Sequence, residues 1–169
     1  ASLSALGEAA ELLACLATPG NVARHGHTRR DGFAHVTGED LGSAAPVDLL
    51  AQRVFLDWAL MTGEPEVFRA DTTGCAAHLD LPGASERGLL ECIERDARAL
   101  WWYGRLRCPK LPHHLLDDVQ PRLSWWLERR PRNWSLIDLT CDTLVPVVAA
   151  ASWESDGRGV AIGTAAAPD

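Results

Sequence analysis

The stretch from Ser85 to Gly104 constrains the fold most. Leu89, Ile93, Leu100 and Tyr103 fall on one side at helical spacing, and Arg87, Glu91, Glu94, Arg95 and Arg98 fall on the other. That period predicts a long amphipathic helix, which must lay its apolar stripe against another layer of structure. A second helix is predicted over residues 3 to 17, where Leu3, Leu6, Ala10, Leu13 and Ala17 recur and Pro19-Gly20 supplies a stop. A shorter one is expected from Pro121 to Arg130, with Pro121 pre-set for the first turn and Pro131 ending it. Downstream, Trp134 to Thr140, Leu144 to Ser152 and Gly159 to Ala165 read as three strands. Upstream, residues 18 to 48 read as loop with a short strand near Phe33 to Val36. Residues 49 to 62 fit parts of both periods, and Val67 to Ala70 reads as a strand entering the turn Asp71 to Gly74. Helices and strands therefore mix without strict alternation. The expected class is α+β, a mixed or antiparallel sheet with amphipathic helices packed on one face.

A length of 169 residues suits one domain with its own core. The longest apolar run, Leu144 to Ala151, contains a proline and is far short of the roughly 20 residues that cross a bilayer, so no membrane span and no signal peptide are expected. Sixteen basic against 23 acidic side chains give a net charge of −7, which excludes a protein held mainly by nucleic-acid phosphates. All the basic residues but Lys110 are arginine, so an anion in a pocket would meet a guanidinium fork. Five cysteines without a CxxC pair suit a reducing compartment, and a cytoplasmic location is expected.

Chemistry concentrates in two similar segments, Leu6-Gly-Glu8-Ala-Ala-Glu11 and Leu89-Leu-Glu91-Cys-Ile-Glu94. Each places two carboxylates one helical turn apart, where they repel unless a cation or proton compensates. Arg87, Arg95 and Arg98 can do so for the second pair, which then reads as a solvated face with ion pairs. Leu12 stands where an equivalent arginine would serve the first. Hard oxygen ligands from two helices are also what Mg²⁺ takes, completed by waters and substrate phosphates. Asp96 projects onto the apolar side of its helix, where a carboxylate needs a partner such as a neighbouring loop's amides, or else belongs to a site.

Other groupings carry less. Cys108, His113 and His114 are too few and too close for a zinc site, and Asp71, Cys75 and His78 have no cue that would assemble a Cys–His nucleophile. His25, His27 and His35 fall in a polar stretch and are expected to be exposed, whereas the tryptophans are expected in packing. No GxxxxGK[ST] phosphate loop is present.

The stretch Thr72-Thr-Gly-Cys-Ala-Ala-His through Gly88-Leu-Leu-Glu91-Cys-Ile-Glu94-Arg95-Asp-Ala-Arg-Ala-Leu-Trp-Trp102 resembles the YcaO domain's segment ending in ExxERDAxxxWW. Ser4-Ala-Leu-Gly-Glu8-Ala-Ala-Glu11-Leu12 is similar to the family's other signature, Ser-x-x-x-Glu-x-x-Glu-Arg, and Asp138 to Ala150 resembles the strand pair that follows. The resemblance implies a single YcaO-like domain over residues 1–169, a central portion truncated at both ends. It implies ATP-dependent activation, by phosphorylation, of backbone amides in a ribosomally made peptide, leading to azoline (thiazole or oxazole precursor) rings or related modifications. ATP and Mg²⁺ are the implied cofactors. Glu8, Glu11, Glu91 and Glu94 carry over as metal ligands, and Ser4 and Arg95 as nucleotide contacts. The implied partners are a precursor peptide, a docking protein and a second copy of the chain. Leu12 replaces the arginine of the first signature, and Ala76 and Gly83 stand where the family has a serine and a glutamate. These departures favour the alternative, a degenerate non-catalytic module that binds a precursor peptide or a partner enzyme.

Overall fold

The computed structural model describes residues 2–168, with side chains from residue 5 onward. The chain divides into two compact units, Ala1–Arg87 and Gly88–Asp169. Among the described residues no helix is long and apolar enough to cross a membrane.

The first unit opens with α1 (Ser2–Cys15) and α2 (Pro19–His25). Thr18 starts α2 by accepting a 3.2 Å hydrogen bond from the Asn21 amide, and Pro19 fits the first turn because its missing N–H would have no helical partner anyway. The Asn21 side chain closes α1 in turn, donating to the carbonyls of Leu13, Ala14 and Leu16. Three antiparallel strands follow: β1 (Thr28–Arg30), β2 (Phe33–Glu39) and β3 (Pro46–Leu50). They replace most of the expected loop. The β1–β2 turn is Asp31-Gly32, both at positive φ (51° and 87°), the backbone a two-residue hairpin demands. Ala34 and Val36 of β2 point inward, and α3 (Ala51–Val54) and α4 (Trp58–Thr62) resolve the ambiguous stretch as two short helices. Ala17, Ala34, Val36, Ala51, Phe55 and Trp58 form the core, with the Phe55 and Trp58 rings stacked at 5.5 Å.

A buried polar network holds this core to the chain that follows it. Gln52, almost wholly enclosed, donates to Pro65 O and accepts from the amides of Val67 and Phe68. Glu64 accepts from Trp58 Nε1 at 2.9 Å and from the Ala34 amide at 3.1 Å. With its backbone tied to Gln52, the stretch 67–70 runs without forming the expected strand, and the turn at 71–74 is present.

Helix α5 (Leu81–Gly104) begins in the first unit and continues into the second. Asp80 starts it by accepting from the Gly83 amide at 2.8 Å. The second unit adds β4 (Lys110–Leu111), α6 (His114–Val119), α7 (Pro121–Glu128), β5 (Arg132–Asp138), β6 (Val147–Glu154) and β7 (Ala161–Ala166). Strands β4 to β7 form one antiparallel meander in sequence order. Its core joins Ala97 of α5 to Leu139, Val147 and Ala149, flanked by Ile93, Trp101 and Ile137. A small residue at 97 lets the helix backbone approach the sheet, and this sets which stripe is buried. Leu89, Leu100 and Tyr103 lie exposed as a result, and so does Asp96, which needs no buried partner. The architecture is α+β, as the element pattern implies, with the strands in two antiparallel sheets, one in each unit.

Candidate functional site

Within the second unit, the turn of α5 that carries Glu91, Glu94 and Arg95 is the most chemically loaded surface. Arg95 reaches back one turn to Glu91 Oε1, with Nη2 at 2.8 Å and Nε at 3.0 Å. Both side chains are half-buried, so this i,i+4 pair is better shielded from water than a surface bridge. Glu94 instead accepts a hydrogen bond from the Thr164 hydroxyl of β7. Each carboxylate of the pair thus has its own neighbour, and the two acids coexist one turn apart. The sequence offers no signal for Thr164, because its meeting with α5 depends on how β6 pairs with β7, Ala149 opposite Thr164.

A cavity of about 310 Å³ opens beside this turn, lined by Arg95, Arg98, Trp101, Trp102, Ile162 and Thr164. That volume is at the lower end of small-molecule pockets, roughly 300–1,000 Å³. Guanidinium groups beside indole faces suit an anion that carries a ring.

In the first unit, Glu8 is exposed and Glu11 half-buried on α1, and Leu12 is exposed beside them. The side chain of Ser4 lies outside the described residues. Thr72 to Cys75 form a turn closed by Cys75 N–H to Thr72 O at 3.1 Å, with the Asp71 carboxylate accepting from the Thr73 amide. At the start of α5, the imidazole of His78 fills the space into which a side chain at position 83 would project, so Gly83 is there by close approach. His78 also lies 3.2 Å from Asp80. The Gly83 amide, and after it the His78 imidazole, holds the Asp80 carboxyl below the usual carboxylate range.

The lesser groupings resolve as packing and surface. His113 stacks flat on Trp134 at 3.9 Å, and burial, then the charge of Asp138, pushes the Cys108 thiol up. His25 and His27 are exposed as expected. His35 is half-buried, its Nδ1 3.2 Å from Asp48 Oδ2 but outside hydrogen-bond geometry. Trp58 and Trp101 pack in the cores, whereas Trp102, Trp125 and Trp126 are exposed. Among the described residues, no three His, Cys, Asp or Glu side chains cluster so as to hold a metal within either unit. The fit to Mg²⁺ therefore rests on donor chemistry. Both acidic pairs offer hard carboxylate oxygens, as that ion requires, and a site built of one or two carboxylates plus phosphates needs no all-protein cage. The donor types suit the ion.

Residues 27–169 match the family model described as YcaO cyclodehydratase, ATP- and Mg²⁺-binding. The chain belongs to the YcaO family. ATP and Mg²⁺ are the cofactors of that family description, and the matched range includes Glu91, Glu94 and Arg95 but not Glu8 and Glu11. Two solved structures share the YcaO fold seen here. One is a heterocyclase in complex with substrate and cofactor, 22% identical with a TM-score of 0.79, matched over 96% of this chain and 28% of its own. The other is the heterocyclase TruD, 20% identical with a TM-score of 0.80, matched over 98% of this chain and 30% of its own. The chain thus spans less than a third of the length of either. None of the curated proteins matches it.

Proposed function

We propose that this chain is the part of a YcaO enzyme that binds Mg²⁺-ATP for cyclodehydration of backbone amides in a ribosomally made precursor peptide. The observation that carries the reading is the Glu91–Arg95 pair beside Glu94 and the arginine–tryptophan cavity, within the range matched by an ATP- and Mg²⁺-binding family. Glu91 and Glu94 of α5 offer carboxylate oxygens to the metal, and the resemblance to the family's first signature assigns the same role to Glu8 and Glu11 of α1. Arg95 offers its guanidinium to a phosphate while Glu91 fixes its direction, and Ser4 adds a hydroxyl. When bound, ATP supplies the phosphoryl group that turns an amide oxygen into a leaving group, so that a neighbouring Cys, Ser or Thr side chain closes an azoline ring with net loss of water. Thr164 holds Glu94 in place for its part. A docking protein that presents the precursor, and a second copy of the chain, complete the proposed assembly in the cytoplasm.

Calorimetric titration with ATP in the presence of Mg²⁺ tests this. Glu91→Gln and Glu94→Gln are each expected to weaken Mg²⁺-dependent binding at least tenfold, about 1.4 kcal/mol, with the circular dichroism spectrum unchanged. Unchanged affinity in both variants removes these residues from the site.

A second reading, a partner-binding module without nucleotide turnover, is favoured by one observation. The His78 imidazole occupies the place of a side chain at position 83, where the family's glutamate would stand. No binding of Mg²⁺-ATP by this chain, and none by a version extended at both ends, selects that reading.

A further inference from the structure

The sulfurs of Cys15 and Cys75, 60 positions apart in sequence, lie 3.0 Å from each other in the first unit. That is closer than ordinary van der Waals contact between heavy atoms, about 3.5–4.0 Å for carbons, and within about 1 Å of a disulfide bond length. Both residues are half-buried.

The backbone on each side holds the two sulfurs in this relation. Cys15 closes α1, and its carbonyl accepts from the Leu56 amide at 2.8 Å. Two residues on, the Ala17 amide donates back to Leu56 O at 3.0 Å. The Asn21 side chain caps the neighbouring carbonyls of Leu13, Ala14 and Leu16. Cys75 closes the turn that starts at Thr72, itself fixed by Asp71. Two thiols presented by fixed backbone segments react with each other at a high effective concentration.

We propose that Cys15 and Cys75 form a redox-convertible dithiol, oxidised by a peroxide to a disulfide that bonds the end of α1 to the Asp71–Cys75 turn. One thiolate attacks a peroxide oxygen; an S–O bond forms, the O–O bond breaks, and a sulfenic acid results while hydroxide leaves and takes up the proton the thiol released, giving water. The second thiolate attacks that sulfur; the S–S bond forms, the S–O bond breaks, and hydroxide leaves to be protonated as a second water. Two electrons pass from the two thiols to hydrogen peroxide, and a dithiol reductant returns them. The neighbouring thiol intercepts the sulfenic acid before further oxidation, which an isolated, exposed cysteine such as Cys92 has no means to do.

The test uses the full chain, reduced, exchanged into native buffer and given one equivalent of hydrogen peroxide. Free thiols are then alkylated, and the digest is read by mass spectrometry. The expected product is a peptide pair joining Cys15 to Cys75, two hydrogens lighter than the separate peptides and cleaved by dithiothreitol. Closing so long a loop should raise the melting temperature by roughly 5–15 °C in the oxidised form, a shift that Cys15→Ser and Cys75→Ser each abolish. Recovery of Cys15 and Cys75 as alkylated thiols or as sulfinic acids while Cys92 is oxidised overturns the proposal. Linkage of either to a different cysteine does the same. The mapping on the unsubstituted chain is decisive even should a serine variant fail to fold. It reads linkage rather than nucleotide, so its outcome is independent of the function proposed for Glu91 and Glu94.

Discussion

Replacing Glu64 with alanine should cost the first unit a large share of its stability. The Glu64 side chain is 6% exposed, and its partners Trp58 and Ala34 are 2% and 1% exposed. Truncation leaves the Trp58 indole N–H and the Ala34 amide buried without their acceptor, and each such orphaned donor costs about 1–3 kcal/mol. The pairing with Arg29 adds little, because the arginine is 63% exposed and a solvated bridge is worth about 0–1 kcal/mol. The sum is about 2–7 kcal/mol, a large share of the roughly 5–15 kcal/mol available to an ordinary domain. Two companion variants separate the terms. Arg29→Ala removes only the exposed partner and should cost under about 1 kcal/mol. Glu64→Gln keeps one carbonyl acceptor and should fall between the two. Urea denaturation followed by circular dichroism gives all three differences. A loss below about 1 kcal/mol for Glu64→Ala, or one for Arg29→Ala as large as that for Glu64→Ala, refutes the claim that orphaned buried donors dominate.

Other expectations follow from single features. Val147 is fully enclosed beneath α5, so Val147→Ala should cost about 2 kcal/mol in the same denaturation assay from lost burial and a residual void. Arg105 follows α5 at a φ of 54°, a conformation glycine adopts without strain, and Arg105→Gly should stabilise the chain by about 0.5–1 kcal/mol, seen as a higher urea midpoint. Asp40, Asp80 and Asp156 are held below the ordinary aspartate range by hydrogen bonds that favour the charged form, from Ser43, from the Gly83 amide and from Arg158. Since their folded pKa values lie below the unfolded ones, the stability they add is complete above the unfolded value. It is lost as pH falls from there through the folded ones, so melting temperature should drop below about pH 4 and the drop should shrink in Asp80→Asn. Cys108, its thiol pushed up chiefly by burial, should alkylate several-fold more slowly at neutral pH than exposed Cys92, as read by timed mass spectrometry.

Several elements follow from local pattern because their causes are local. α1 and α5 have strong helical periods, Pro121 starts α7 where expected, and the three C-terminal strands lie within a few residues of their predicted limits. Of the β1–β3 meander only part of β2 was expected, near Phe33 to Val36, and β1 escaped because it is polar throughout and exposed, leaving no alternation to read. Only the positive-φ pair Asp31-Gly32 marked the hairpin. The strand expected at 67–70 failed for the opposite reason, since its backbone amides are taken by Gln52, a side chain far back in the sequence.

At the candidate site the same division holds. The i,i+3 and i,i+4 spacings of one helix placed Glu91, Glu94 and Arg95 on neighbouring positions, and those residue types implied metal and phosphate chemistry before any fold was known. Which stripe of α5 is buried, which hydroxyl holds Glu94, that Asp96 faces water and that Cys15 meets Cys75 were decided by tertiary structure alone. Periodicity records only what lies within a few residues of chain. Strand pairing and the close approach of Ala97 to the sheet join residues whose separation leaves no trace in local spacing.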